Sequence, residues 1–298
     1  MIYDLNHTTT YDYTGSVSLS HHLLRLHPRS LPYQKPLMTK LEIDPVPGFT
    51  QTHTDYFGNQ IAFVTMDGSH KSLVITSCSQ VEVWPRSFIP RADETPSWES
   101  IRDLRGGEKP SDSLEAREFI YPSPLVKRLP ESAAYALPSF TANRPVLEAV
   151  LDLTARIHRD FKFDPKATTI ATPLEEFMKK RRGVCQDFAH LEIACLRSVG
   201  IPARYVSGYL ETDPPPGKPR LAGADASHAW VSFYCPGAGW IDVDPTNNLL
   251  PSNRHITVAW GRDYLDVSPI RGVILGSGEH TLKVSVDVIP HHEPRLPL

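Results

Sequence analysis

The chain has no apolar run of the length a membrane-crossing helix needs, and its mean hydropathy is −0.29, so a helical span is not expected. It has no excess charge of either sign. Thirty-one Lys and Arg stand against thirty-four Asp and Glu, a formal charge of −3, which leaves no basic footprint for nucleic acid. Its opening, Met1-Ile-Tyr-Asp-Leu-Asn-His, has neither a basic nor an apolar leader segment. The four cysteines, Cys78, Cys185, Cys195 and Cys235, are too few and too scattered for a disulfide framework. Free thiols and a cytoplasmic setting are the expectation. The 40% hydrophobic content is enough for a real core in 298 residues. What the chain has in excess is proline, 28 residues, roughly twice the usual share of about 5%.

The order of patterns divides the chain in three. Residues 1–90 alternate at period two, with the Gly58-Asn59 turn between Asp55 and Ile61 and a long strand over Lys71–Trp84, and this predicts an all-β antiparallel domain. Residues 91–145 are rich in proline and charge and read as a connector, with room for a short helix near Ser111–Phe119. Residues 146–298 place helices before strands, the pattern of an α+β domain. Helices are expected over Val146–Phe161, from Pro173 (N-capped by Thr172) to about Lys180 with Gly183 as its stop, and over Cys185–Val199. Strands are expected at Ala203–Leu210, His228–Tyr234, Trp240–Val243 and His280–Val288.

Three stretches of this last part carry chemistry: Arg182-Gly-Val-Cys185-Gln-Asp-Phe-Ala-His190, Ser227-His228-Ala-Trp230 and Gly239-Trp240-Ile-Asp242-Val-Asp244-Pro-Thr246. Cys185 opens a helix, where the partial positive charge of the helix start favours a thiolate and the free N–H groups offer donors to an oxyanion. The turn Cys235–Gly239 joins two short strands. If it is centred on Pro236, His228 lies opposite Asp244; if on Gly237, His228 lies opposite Thr246. The first register gives a nucleophile, a base and an orienting acid in Cys185, His228 and Asp244, with Asp242 as the second choice of acid. His190 is excluded as the base, since five residues rotate a helix by about 140° net and turn it away from Cys185. A metal shared by Cys185 and Cys195 is excluded as well, because ten helical residues rise by about 15 Å. Cys195 instead joins the stripe of Phe188, Leu191 and Val199. Trp230 and Trp240 share the predicted face with the His and the Asp and are candidate walls of a substrate channel. The loop Glu211–Ser227 is a candidate cover for it. The adjacent pairs His21-His22 and His291-His292 point to opposite faces in a strand, which argues against metal binding.

Gly183-Val-Cys185-Gln-Asp-Phe-Ala, then Leu196-Arg-Ser-Val-Gly-Ile-Pro-Ala-Arg-Tyr-Val-Ser-Gly-Tyr209, His228-Ala-Trp230 and Asp244-Pro-Thr246 resemble, in order, the core of the transglutaminase-like superfamily of papain-like thiol enzymes. The resemblance covers about residues 146–250, and the N-terminal strands look like the β domain that precedes this core in bacterial members. It implies a papain-like fold, a Cys185–His228–Asp244 triad, and acyl chemistry through a thioester on a peptide or protein amide, with water or an amine as acceptor. It implies an oxyanion hole built from the Cys185 N–H and a side-chain donor. No cofactor is expected, and no metal, since no Asp-x-Asp-x-Asp-Gly loop is present. The competing expectation is a binding or scaffold protein that keeps the fold without turnover. Oligomeric state is not readable from the sequence.

Overall fold

The computed structural model describes residues 1–86, 89–103, 112–212, 227–276 and 278–291. It opens with one 23-residue strand, β1 (Ile2–Leu24), followed by β2 (Gln34–Asp44), β3 (Phe49–Thr54), β4 (Gln60–Met66) and β5 (His70–Val83). These pair antiparallel in the order β2-β5-β1-β4-β3. Alternate residues of β1 and β5 are buried, as the period-two pattern requires of a sheet with one covered face. The expected Gly58-Asn59 turn links β3 to β4. His21 and His22 do face opposite ways, the first exposed on Thr65, the second buried on Ser20.

The proline-rich stretch is not a free linker. It folds into α1 (Trp98–Asp103), α2 (Asp112–Arg117), α3 (Pro130–Ala136) and short 3₁₀ turns, and Trp98, Ile101, Val126, Ala136 and Phe140 enter the main core. Ser111 lies outside the described residues. Next come α4 (Val146–Asp160), β6 (Lys162–Phe163), α5 (Leu174–Lys180), β7 (Arg182–Gly183) and α6 (Cys185–Val199). Pro173 rather than Thr172 occupies the cap of α5, and a left-handed Arg181 ends it, ahead of Gly183. Gly183 serves β7, which pairs with β6.

A second antiparallel sheet follows: β8 (Ala203–Leu210), β9 (Ser227–Cys235), β10 (Gly239–Val243) and β11 (His255–Gly261), in the order β10-β9-β8-β11. Its odd-numbered side chains, among them Tyr205, Val231, Phe233 and Val243, pack with α6 and α4 in one core. The first sheet is tied to it by Gln34, which donates to Thr257 O (2.7 Å) and accepts from Thr257 N (2.8 Å), and by His7, which bonds the Tyr209 hydroxyl (2.9 Å).

After α7 (Tyr264–Val267) the chain returns to where it began. Strands β12 (Ile270–Gly276) and β13 (His280–Pro290) run antiparallel along β1, Leu24↔Ile270 at one end and Tyr3↔Pro290 at the other. The strand read at His280–Val288 is present, but it completes the first sheet and not the second. Tyr3, Leu5, Val81, Val83, Val286 and Val288 belong to the same core as α4 and α6, so the two sheets share a hydrophobic interior.

Candidate active site

The local sequence explains why α6 begins at Cys185. Val184 is extended and cannot cap with its side chain, so Asp187 reaches back and accepts from the Val184 N–H (2.8 Å) and from Thr168 Oγ1 (2.6 Å). Gly183 passes so close that a Cβ there would lie 2.3 Å from Asp187 Oδ2 and 2.8 Å from the Phe177 ring. Residues 183–187 are therefore one unit: a glycine that lets the chain under Phe177, an acid that ties the helix start, and between them a half-buried thiol. As the first residue of α6, Cys185 has an N–H with no partner in the helix ladder.

His228 stands on β9, opposite Gly208 of β8. Its Nε2 lies 2.7 Å from Asp244 Oδ2, and Cys185 stands near enough to act on the ring electrostatically. With Nε2 held by the carboxylate, Nδ1 is the nitrogen left for the sulfur. Burial pushes this imidazole down, but the hydrogen bond to Asp244 and the interactions with Asp244 and Cys185 outweigh it and hold the ring up at about 10. Asp244 is fully buried and collects five donors. Oδ1 accepts from Thr246 N (2.9 Å) and Asn247 N (3.1 Å); Oδ2 accepts from His228, Asn247 Nδ2 (2.7 Å) and His255 Nε2 (3.3 Å). Burial raises the carboxyl, yet these bonds and the His228 charge carry it well below the usual carboxylate range. The three predicted residues Cys185, His228 and Asp244 are thus brought together.

The register that suggested this is corrected. Pairs run Gly239↔Cys235, Trp240↔Tyr234, Asp242↔Ser232 and Val243↔Val231, the Gly237-centred alternative. In that register Trp230 would stand opposite Asp244, and His228 reaches the carboxylate diagonally, two residues off. Asp242, the second-choice acid, lies elsewhere: it accepts from Trp230 Nε1 (2.9 Å) and from Arg86 Nη1 (2.5 Å). Arg86 outweighs burial there and lowers the Asp242 carboxyl.

Neither tryptophan is the channel wall the sequence suggested. Trp230 has 0% exposure and backs the His228 ring, centroids 6.1 Å apart. Trp240 lies at the far end of the hairpin, against Phe119, Tyr234 and Arg204, in a cavity whose lining includes none of Cys185, His228 and Asp244. The covering loop expected at Glu211–Ser227 falls largely on residues 213–226, outside the described residues, as does His292. His190 has a structural role, packed on Tyr205 and accepting from Tyr264 N (3.2 Å).

Two residues at the site escaped sequence reasoning. His255, on β11, is buried at 2% and shares Asp244 Oδ2 with His228. Burial, only partly opposed by Asp244, keeps its imidazole below the ordinary value. Its signal was the alternation Ile256, Val258, Trp260, which marks a strand. Asn247 stands three residues after Asp244, in the kind of turn an Asp favours. Nε2 of His228, Nε2 of His255 and an oxygen of Asp244 lie within 4.8 Å of one another, a spacing that could hold a metal ion. The hydrogen bonds among them already account for it.

Comparison with known proteins agrees with this architecture. Residues 3–82 match the bacterial transglutaminase-like N-terminal region, and residues 134–245 match the transglutaminase-like superfamily. The chain belongs to that superfamily, in the form with the bacterial N-terminal region ahead of a papain-like core. It is 41% identical over 295 residues to the Mycobacterium tuberculosis protein Rv2569c, covering 97% of this chain and 92% of that one. The fold is shared by a solved protein of Cytophaga hutchinsonii presented as a candidate cysteine protease, with a TM-score of 0.74, 20% identity, and coverage of 99% of this chain and 92% of that one. Over 107 residues the chain is 35% identical to the protein-glutamine gamma-glutamyltransferase of Pseudomonas aeruginosa, covering 33% of this chain and 16% of that enzyme.

Proposed function

We propose that the protein is a thiol-dependent acyl-transfer enzyme acting on peptide or protein amides, with Cys185 as nucleophile, His228 as acid and base, and Asp244 as the group that orients and charges His228. The observation that carries this is the imidazole bonded at 2.7 Å to a fully buried carboxylate and set beside the thiol that opens α6.

In this reading the Cys185 sulfur bonds to the amide carbon while the C=O electron pair moves to oxygen. The oxyanion is met by the Cys185 N–H and the positive helix start. His228 gives its proton to the leaving nitrogen, the C–N bond breaks, and ammonia or an amine departs from a thioester. A primary amine or water then attacks the thioester and loses its proton to His228. The C–S bond breaks and the thiolate–imidazolium pair is restored. The glutamine named in the Pseudomonas relative's activity makes a glutamine side-chain amide the first substrate to try.

The test is a glutamine-containing peptide library incubated with the enzyme, with and without a primary amine, and read by mass spectrometry. Amine incorporation marks transfer, conversion of Gln to Glu marks deamidation, and chain cleavage marks peptidase action. Cys185→Ala should abolish all three, and Asp244→Asn should lower turnover by roughly 10²–10⁴-fold. A Cys185→Ala protein with undiminished turnover would sink the reading.

A further inference from the structure

The Asp55–Asn59 turn at the tip of the β3–β4 hairpin lies against the second sheet. Asn59, closed to solvent, donates through Nδ2 to Trp260 O (2.9 Å) and accepts through Oδ1 from Trp260 N (3.0 Å). Asp55 Oδ1 accepts from the N–H groups of Phe57 (3.0 Å) and Asn59 (2.8 Å). Arg29 donates to Phe57 O (3.2 Å) and Asn59 Oδ1 (2.5 Å). These bonds fix Tyr56 and Phe57 beside β8, β10 and β11, and the space enclosed is a cavity of about 630 Å³. That is the size of a small-molecule site.

Its floor is a stack of alternating cations and rings. The Arg29 guanidinium lies 3.5 Å from the Trp260 ring centroid, and that of Arg204 lies 3.7 Å from it. Two groups so close to one centroid cannot share a face, so Trp260 is held between them. Arg204 lies in turn 4.1 Å from the Trp240 ring, giving the order Arg29–Trp260–Arg204–Trp240. Arg204 is 8% exposed, and among the described residues no carboxylate forms an ion pair with it and its Nε has no acceptor. Asp242, the nearest acid by charge, is committed to Arg86 and Trp230. A buried guanidinium supported only by ring faces is costly unless something else pairs with it. Glu115 and Glu118 also line the cavity, and their charges disfavour an anion of high charge.

We propose that this cavity is a second ligand site, separate from Cys185, which takes a monocarboxylate on a flat body: the carboxylate on Arg204 beside the Arg29 charge, the body against Trp240 and Phe57. Acylated or aromatic amino acids have this chemistry. Arg204 and the site pair through Ser232 of β9, four residues along that strand from His228, which puts the two sites about 13 Å apart.

The probe is hippurate, N-benzoylglycine, titrated into the full chain by calorimetry and tryptophan fluorescence, beside its neutral amide and inorganic phosphate. Hippurate should bind saturably, with the amide and phosphate each at least about tenfold weaker. Arg204→Gln should lose about tenfold or more. Glu115→Gln, at an exposed position that spares the fold, should bind hippurate several-fold more tightly and decides the matter if Arg204→Gln does not fold. Cys185→Ala should bind hippurate unchanged. Absence of saturable binding, equal binding of the amide or of phosphate, unaltered affinity in Glu115→Gln and in folded Arg204→Gln, or loss of binding in Cys185→Ala would each overturn the proposal.

Discussion

His228 reaches Asp244 across a diagonal of the β9–β10 hairpin and not across a rung. The ladder ends at Val243↔Val231, and just beyond it the Asp244 backbone pairs with Leu249, turning the carboxylate back to Nε2 at 2.7 Å. The acid is thus fixed by its own turn, independently of the histidine it serves.

That pair makes stability depend on pH in a definite sense. In the folded chain the His228 imidazole is held at about 10, against 6.5 when free, so its contribution is complete below about pH 6.5 and is lost as the pH rises toward 10. The Asp244 carboxyl is depressed, so its contribution is present above its free value of 3.8 and is lost as the pH falls through the lower folded value. The stability difference between wild type and His228→Gln, read from urea midpoints, should be greatest between about pH 4 and 6.5 and should shrink toward pH 10. A difference that does not vary from pH 5 to 10 would contradict this.

Glu192 gives a second dependence, of the same sign as that of His228 but at lower pH. It is fully buried on α6, two turns beyond Cys185. Its Oε1 lies 2.6 Å from Thr154 Oγ1, which itself lies 2.8 Å from the Val150 carbonyl. The Thr154 hydroxyl donates to Oε1, which favours the charged carboxylate, but burial dominates and pushes the carboxyl up to about 8. The fold should therefore weaken as the pH rises from about 4.5 to 8, and Glu192→Gln should flatten that slope in urea titrations and be the more stable protein at pH 8. A slope unchanged by the substitution would remove the argument.

The thiols should differ sharply in reactivity. Cys195 is fully buried and pushed well above its usual range, and Cys235 is pushed by burial to about 11. Iodoacetamide at neutral pH should alkylate Cys185 first, by about tenfold or more over Cys78, Cys195 and Cys235, and His228→Ala should erase the advantage. Peptide mapping after timed quenching measures it; equal labelling of Cys78 counts against the assignment.

Gly183→Ala tests the helix start. The added methyl would meet Asp187 Oδ2 and the Phe177 ring, so α6 must shift at Cys185. A stability loss of about 1–3 kcal/mol by urea denaturation, with slower alkylation of Cys185, is expected. A protein matching wild type in both would show that the close approach has no consequence for the thiol.

Much of this was legible in the sequence where local chemistry decides. The span of α6 was read to the residue because a glycine unit precedes it and Gly200-Ile201-Pro202 stops it. The hairpin register was not, because Cys235–Gly239 accommodates two centres. The His228–Asp244 contact survived the error because both registers keep even-numbered residues on one face. Alternation marked the strand at His280–Val288 but gave no indication of its partner. His255 was missed because nothing local distinguishes a histidine that leans on a distant carboxylate from one that fills space. Trp240 and Arg204 gained meaning only when Asp55–Asn59 was seen docked on their sheet.

The placement of β1 also bears on the order in which the chain is finished on the ribosome. One edge of β1 is covered early, by β4 and β5, while the other waits for β12 and β13, which emerge only after the whole papain-like part has been translated. Until then a long strand presents open backbone to any neighbouring chain. Nascent copies crowded on one message would be the ones most exposed to mispairing, and slow passage through the codons of β12 and β13 would prolong that exposure.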